Sequence, residues 1–418
     1  MLGVRRLMST CRAGHRSYGV WSHVEMGPPD PILGVTEAFK RDTNPKKINL
    51  GVGAYRNNEG VPFVLPSVRE AEARLLEAEL DHEYAPIVGV ADFIKVATEL
   101  AYGKESPILA ANRVAAVQAL SGTGALRVAG EFIRRTLGEK AIFMPAPTWG
   151  NHIPIFQNSG LVVEKYRYYD PTTCGLDFSG LMEDIGNIPE GQIVLLHACA
   201  HNPTGVDPTP EQWAEISALV KRRNLLPLFD SAYQGFTSGD PEKDIQSVRK
   251  FLDDGHFVIL CQSFAKNFGL YGHRVGTLSF VASDSEEASR ILSQLKITIR
   301  PMYSNPPVQG ARIVADILGD PSREAQWRSE VKGMAERITS MRSELVKKLA
   351  DNGSTRNWSH ITSQNGMFCF SGLSADNVAE LADKYSIYLT SNGRISMAGV
   401  NPTNIDWLAQ GIAAVTEK

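Results

Sequence analysis

Short apolar runs alternate with amphipathic stretches through the middle of this chain. Runs at 114–120, 141–144, 161–169, 192–199, 225–229, 257–261 and 276–282 have the length and content of buried strands. Helical periodicity fills the gaps between most of them. Thr209-Pro210-Glu211-Gln212 is a capping box with proline in the first helical position, and it opens a helix predicted to reach Arg223. Strands that alternate with helices predict an α/β fold: a mostly parallel sheet of these strands, covered by helices on both faces, with right-handed crossovers.

The flanks read differently. An amphipathic helix is predicted over 32–40, then a glycine-laced strand or loop at Asn49–Arg56. Pro66 opens a helix with Val68, Ala71, Leu75 and Leu76 on one face, and a second helix spans 91–102. Beyond 282 the pattern turns helical. A helix over 284–300 runs into Arg300-Pro301-Met302-Tyr303, and one over 322–349 carries a stripe of Trp327, Val331, Met334, Ile338, Met341 and Leu345. Its length suits a helix that joins two lobes. The remainder, short strands near 367–370, 387–390 and Arg394 with helices between and after, reads as a small α+β lobe.

Composition narrows the classes. The 418 residues exceed one simple core and favour two domains. A net charge of −3 gives no electrostatic case for nucleic acid or anionic membrane, and no apolar run reaches membrane-spanning length. Five scattered cysteines without C-x-x-C spacing argue against a disulfide framework or a structural zinc site, so no metal is expected. Residues 1–19 hold Arg5, Arg6, Arg12 and Arg16 and no acid, the composition of an organellar transit peptide. The stretch 20–31, with Pro28, Pro29 and Pro31, is too proline-rich for a helix and reads as an extended arm that packs on a second subunit.

In a parallel α/β sheet, functional groups gather at the carboxyl ends of the strands. Four predicted strands lead there to unusual polar groups: Ser121-Gly122-Thr123, then His201-Asn202-Pro203-Thr204, then Asp230 with Tyr233, then Ser263 with Lys266 and Arg274. The first is a strand–glycine turn–helix, in which free backbone N–H groups and a helix dipole meet an anion. A lysine at a buried strand end is desolvated, which frees its amine to act as a nucleophile. An amine, a buried acid, a tyrosine, an asparagine and a phosphate cradle together suit pyridoxal phosphate. That cofactor bonds to a lysine amine and needs an acid at its pyridine nitrogen, donors at its phenolic oxygen and a phosphate site.

The strings V-E-M-G-P-P-D-P-I-L-G, N-L-G-V-G-A-Y-R, S-G-T-G-A-L-R, P-T-W-G-N-H, H-N-P-T-G-V-D-P, F-D-S-A-Y-Q-G-F, S-F-A-K-N-F-G-L-Y-G-H-R and G-R-I-S-M-A-G resemble the class I pyridoxal-phosphate aminotransferases, of fold type I. Within that family they are most like the mitochondrial, aspartate-specific branch. The resemblance runs from about residue 21 to the C-terminus. It implies a large cofactor domain at 63–333 with a seven-stranded sheet, a small domain from 32–62 and 334–418, and a homodimer with shared active sites. It implies Lys266 as the anchoring lysine and proton carrier and Asp230 as the pyridine partner, backed by His152 and His197. Tyr233 and Asn202 face the phenolic oxygen, and Trp149 lies on the ring. Ser121, Gly122, Thr123, Ser263 and Arg274 hold the phosphate, with Tyr84 reaching in from the other subunit. Arg394, near the Gly53 backbone, takes the substrate α-carboxylate, and Arg300 of the neighbouring subunit takes the side-chain carboxylate.

The implied reaction converts aspartate and 2-oxoglutarate to oxaloacetate and glutamate, in the mitochondrial matrix, by a ping-pong route. Two residues depart from the family pattern: His273 precedes the phosphate arginine, and Asn365 stands in Q-N-G-M-F. The alternatives are an aromatic or kynurenine-type transaminase on the same fold, or a catalytically silent binding protein on this scaffold.

Overall fold

The computed structural model describes residues 19–27 and 33–417, so the leader and the proline-rich end of the arm lie outside the described residues. Seven strands form the main sheet: β1 (Val114–Leu120), β2 (Ala141–Ala146), β3 (Val162–Arg167), β4 (Ile193–His197), β5 (Leu226–Ser231), β6 (Ile259–Ser263) and β7 (Val275–Val281). Their spatial order is β1-β7-β6-β5-β4-β2-β3. Only β7 is antiparallel to its neighbours, so the sheet is mixed but mostly parallel, as expected.

Alternate positions of the strands feed separate cores. Leu195, Leu228, Cys261 and Leu278 pack with Leu126, Phe132 and Leu295 on one face. Val194, Leu196, Phe229 and Leu260 pack with Leu181, Ile216 and Phe251 on the other. This period-two division is why the strands are almost wholly apolar: they are buried on both sides.

A third core unites the chain's two ends. The 31-residue helix Pro321–Asp351 buries Trp327, Val331, Met334, Ile338 and Leu345 against Leu50, Phe268 and the final helix Ile405–Thr416. Trp327 stacks on Phe268 at 4.5 Å between ring centroids, and its indole N–H donates to the Asn267 carbonyl at 2.9 Å. The strand Ile48–Asn49 pairs in parallel with Ile387–Tyr388, and Phe368–Phe370 pairs with Arg394–Ser396. No helix of the described residues is long and apolar enough to cross a membrane.

Several boundaries differ from those read in the sequence. Leu76 is 80% exposed, because the helix Pro66–Glu77 turns only its Ser67, Val68 and Ala71 face inward. Phe257 is 51% exposed and precedes β6, which instead extends to Ser263. The helix Ser285–Tyr303 continues through Pro301, so Arg300 sits in its last turn rather than at its end. The expected glycine turn between β1 and its helix does not exist: the helix Ser121–Leu137 starts directly at Ser121, with φ of +60°. Gly276 makes that start possible. A Cβ there would lie 2.6 Å from the Ser121 carbonyl carbon and 2.5 Å from the Gln262 oxygen.

Candidate active site

Six strands end at one edge of the sheet, and β7, running in reverse, begins there. The edge therefore receives the residues after β1, β2, β4, β5 and β6 and also Arg274, which precedes β7. One cavity at this edge is lined by Gly53, Ser121, Gly122, Thr123, Trp149, Asn202, Asp230, Tyr233, Ser263, Lys266, Arg274 and Arg394. The sequence reading had nominated all twelve. Tyr271 and Phe368 line it as well and were not singled out, although Tyr271 lies between Lys266 and Arg274 in one loop.

Lys266 is half-buried in a turn whose other members are clamped. Phe264, Ala265, Asn267 and Phe268 are all buried, and the Asn267 side chain donates to the Gln234 carbonyl at 3.2 Å. The Lys266 ammonium forms no ion pair among the described residues and lies 4.9 Å from the Tyr233 ring centre. Burial lowers its pKa to about 8; the Asp230 charge opposes the shift and Arg274 assists it. About a tenth of the amine is thus unprotonated at pH 7, where an ordinary lysine has well under a thousandth.

Asp230 is held from behind. His152, fully buried, meets its carboxylate at 3.0 Å through Nε2. The Thr148 hydroxyl lies 2.8 Å from His152 Nδ1 and 3.3 Å from His197 Nε2, and His197 stands opposite Asp230 in the β4–β5 register. Burial presses the Asp230 pKa upward, yet the His152 hydrogen bond, the two imidazoles and Lys266 outweigh it and hold the carboxyl below its usual range. His197 is driven to about 3, chiefly by burial, so it is neutral. Asp230 is therefore an anion in a water-poor place, able to keep a bound pyridine nitrogen protonated.

Tyr233 is buried and its pKa is raised, mainly by burial, so its phenol stays a hydrogen-bond donor. The Asn202 amide donates to it at 3.3 Å. Asn202 also accepts from Arg394 Nη1 at 3.2 Å, while Arg394 Nη2 donates to the Gly51 carbonyl at 2.7 Å. Arg394 is 5% exposed, its guanidinium lies 4.1 Å over the Phe368 ring, and its Nε has no partner. Among the described residues no carboxylate pairs with it. A buried guanidinium in that state is stabilised by a ligand that brings the missing negative charge.

The anion end is built from the helix start. Ser121 and Ser263 hydroxyls lie 2.8 Å apart, and a Cβ on Gly122 would stand 3.3 Å from Ser263 Cβ, inside the cavity. Arg274 is exposed and unpaired with any carboxylate of the described residues; its one side-chain bond goes to the Tyr271 carbonyl. This donor set fits pyridoxal phosphate: N–H groups and a guanidinium at one end, an acid deep inside, an amine alongside, and the Trp149 indole at the cavity wall. Two nominated residues are elsewhere. Tyr84 is 80% exposed and Arg300 is exposed, and neither lines this chain's own cavity.

The comparisons agree with the geometry. The family model described as aminotransferase class I and II matches residues 45–412. A mitochondrial aspartate aminotransferase of Dictyostelium discoideum is 56% identical over 424 residues, covering 100% of both chains. The mitochondrial aspartate aminotransferase of Gallus gallus is 56% identical over 414 residues, 99% of this chain and 97% of the relative. Among solved structures, an aromatic-amino-acid aminotransferase of Burkholderia pseudomallei covalently bound to pyridoxal phosphate superposes with a TM-score of 0.93 at 44% identity, over 95% of this chain and 100% of that one. A mitochondrial aspartate aminotransferase of Trypanosoma brucei gives 0.89 at 42% identity, over 92% and 100%. This chain belongs to the class I and II aminotransferases, and its cofactor is pyridoxal phosphate.

Proposed function

We propose that this enzyme is an aspartate aminotransferase, moving the amino group of L-aspartate to 2-oxoglutarate and back through a ping-pong cycle. The observation that carries the reading is Arg394: a buried guanidinium without a carboxylate, opening onto the same cavity as Lys266 and Asp230. Identity of 56% over the full chain to aspartate enzymes supports the choice of substrate.

Pyridoxal phosphate, when bound, supplies an aldehyde that carries the amino group and a ring that withdraws electrons from the substrate Cα. Lys266 anchors it through the amine. The same amine, when free, would carry the proton from the substrate Cα, a task suited to its pKa of about 8. Asp230 holds the pyridine proton. The Tyr233 hydroxyl and the Asn202 amide donate toward the phenolic oxygen, and Trp149 covers one face. Ser121, Gly122, Thr123, Ser263 and Arg274 bind the phosphate. Arg394 grips the α-carboxylate as a bidentate pair.

The exposed positions of Tyr84 and Arg300 support a homodimer in which each completes the other's site. The partner subunit's Tyr84 reaches the phosphate, and the partner subunit's Arg300 meets the side-chain carboxylate of the substrate. A neutral side chain leaves that guanidinium unpaired, which selects dicarboxylates. Residues 63–333 form the large domain, with 32–62 and 334–418 as the small one; the pairing of Ile48–Asn49 with Ile387–Tyr388 supports that discontinuous unit. The relatives are mitochondrial, and the arginine-rich leader supports import into the matrix.

The test compares kcat/KM for aspartate and phenylalanine in the wild type and in Arg300→Ala. Aspartate is preferred by the wild type, and the substitution abolishes the preference. Aspartate turnover that survives Arg300→Ala unchanged overturns the substrate assignment, and a preference for phenylalanine in the wild type establishes the aromatic reading suggested by the structural relative.

A further inference from the structure

A second buried arginine lies behind the first. Arg342, in the middle of the helix Pro321–Asp351, is 3% exposed and has no carboxylate partner among the described residues. Its guanidinium is instead wrapped by main-chain carbonyls of one segment. Nη1 donates to Ile361 at 2.8 Å, and Nη2 donates to Gly366 at 2.8 Å, Asn365 at 3.2 Å and Phe368 at 2.5 Å. Burial lowers its pKa. A desolvated cation satisfied mainly by carbonyls, with the Cys369 thiol beside them, fixes the path of the chain around it, because each acceptor lost leaves a buried charge short of a partner.

That segment is where the two halves of the site meet. On one side the Asn365 N–H donates to the Gly205 carbonyl at 2.6 Å, and Gly205 belongs to the turn that presents Asn202. Contact there is so close that a Cβ on Gly205 would stand 2.8 Å from the Asn365 and Phe368 oxygens, and one on Gly366 would stand 2.4 Å from Ala200 Cβ. On the other side Phe368 pairs with Ser396 and Phe370 with Arg394, and the Met397 N–H donates to the Met367 carbonyl at 2.8 Å. The Phe368 ring then carries the Arg394 guanidinium.

We propose that Arg342 is a positioning residue for substrate carboxylate binding: by fixing 361–368, it sets the Arg394 guanidinium against Asn202. Arg342 does not itself line the cavity; it meets the lining through the Phe368 carbonyl, and it bonds to none of the nominated cofactor-binding residues. Its loss acts on carboxylate affinity and spares cofactor retention. The inference rests on the reading of Arg394 as the carboxylate site.

The experiment uses the cofactor-loaded enzyme and succinate, an unreactive dicarboxylate, as the probe. Its dissociation constant is measured by calorimetry in the wild type, Arg342→Lys, Gly205→Ala and Arg394→Ala, beside the thermal midpoint, cofactor content and steady-state kinetics. Arg342→Lys keeps the charge but not the planar fork. It raises the succinate dissociation constant and the KM for both substrates by about tenfold, the size of one lost hydrogen bond to a charged group, with kcat at saturation and cofactor content retained. Gly205→Ala, which pushes on the same segment from the opposite side, does the same and carries the test alone if the lysine variant does not fold. Unchanged succinate affinity in whichever of these variants folds, with only the thermal midpoint lowered, overturns the proposal while Arg394→Ala still abolishes binding. Full succinate affinity in Arg394→Ala overturns the carboxylate-site reading instead.

Discussion

The cofactor side and the substrate side of the cavity are built on different principles. Asp230, Ser263 and Lys266 stand on or just past long central strands whose register is fixed by neighbours on both sides. Arg394 stands on a three-residue strand with one partner, and Arg300 is exposed and does not line this chain's cavity. Reactive groups whose pKa depends on desolvation need the rigid, water-poor position. Recognition groups must admit and release two different dicarboxylates, and a thin strand with one partner, or the neighbouring subunit of the proposed homodimer, suits that. On the proposed roles, chemistry is set by the sheet and selectivity by its periphery.

Lys266→Ala breaks the cofactor side most completely. Transamination should fall by roughly 10⁴-fold or more, since the proposed anchor and proton carrier are lost together. The purified variant should lack the visible band that borohydride bleaches in the wild type; a variant that keeps both band and turnover removes Lys266 from its role. Next is Asp230→Asn. With the anion gone, His152 loses its charged partner and a bound pyridine nitrogen loses its proton, so kcat should fall by about 10²–10³-fold, on the scale of a broken buried charge pair. Retained kcat would mean that the ring is not protonated from this side.

On the substrate side, Arg394→Ala should lower kcat/KM for aspartate by about 10²-fold or more, and the loss should sit largely in KM. Cofactor content should be unchanged, because no phosphate-end residue bonds to Arg394. Equal losses of cofactor and of substrate affinity would erase the distinction between the two sides.

The same contrast governs what could be read from the sequence. The cofactor side was legible because strand ends in a parallel sheet converge wherever the strands lie, so apolar runs followed by Ser121, Asn202, Asp230 or Lys266 could be grouped without knowing the strand order. The mixed hand of β7 was not legible, since a strand buried on both faces looks alike in either direction. Nor was the abrupt helix start at Ser121, which depends on the missing side chain of Gly276 across the sheet. Pro301 suggested a helix end, yet the helix passes through it to Tyr303. On the substrate side, the segment 361–368 carries no chemical signature, because Arg342 binds its carbonyls and not its side chains.

The smallest expected effect separates burial from charge on the cofactor side. Lys266 has its pKa lowered from the ordinary lysine value to about 8, first by burial. A lowered amine pKa means that the neutral, nucleophilic form grows as pH rises through 8 and is complete above it. Pyridoxal phosphate added to the cofactor-free protein should accordingly react at a rate that rises about tenfold per pH unit below 8 and levels off beyond. In Asp230→Asn the opposing attraction of the carboxylate is absent, so the inflection should move to lower pH. A move to higher pH would show that something other than the Asp230 charge holds the proton on Lys266, and the rigid edge of the sheet would then tune its lysine by a route that its geometry does not contain.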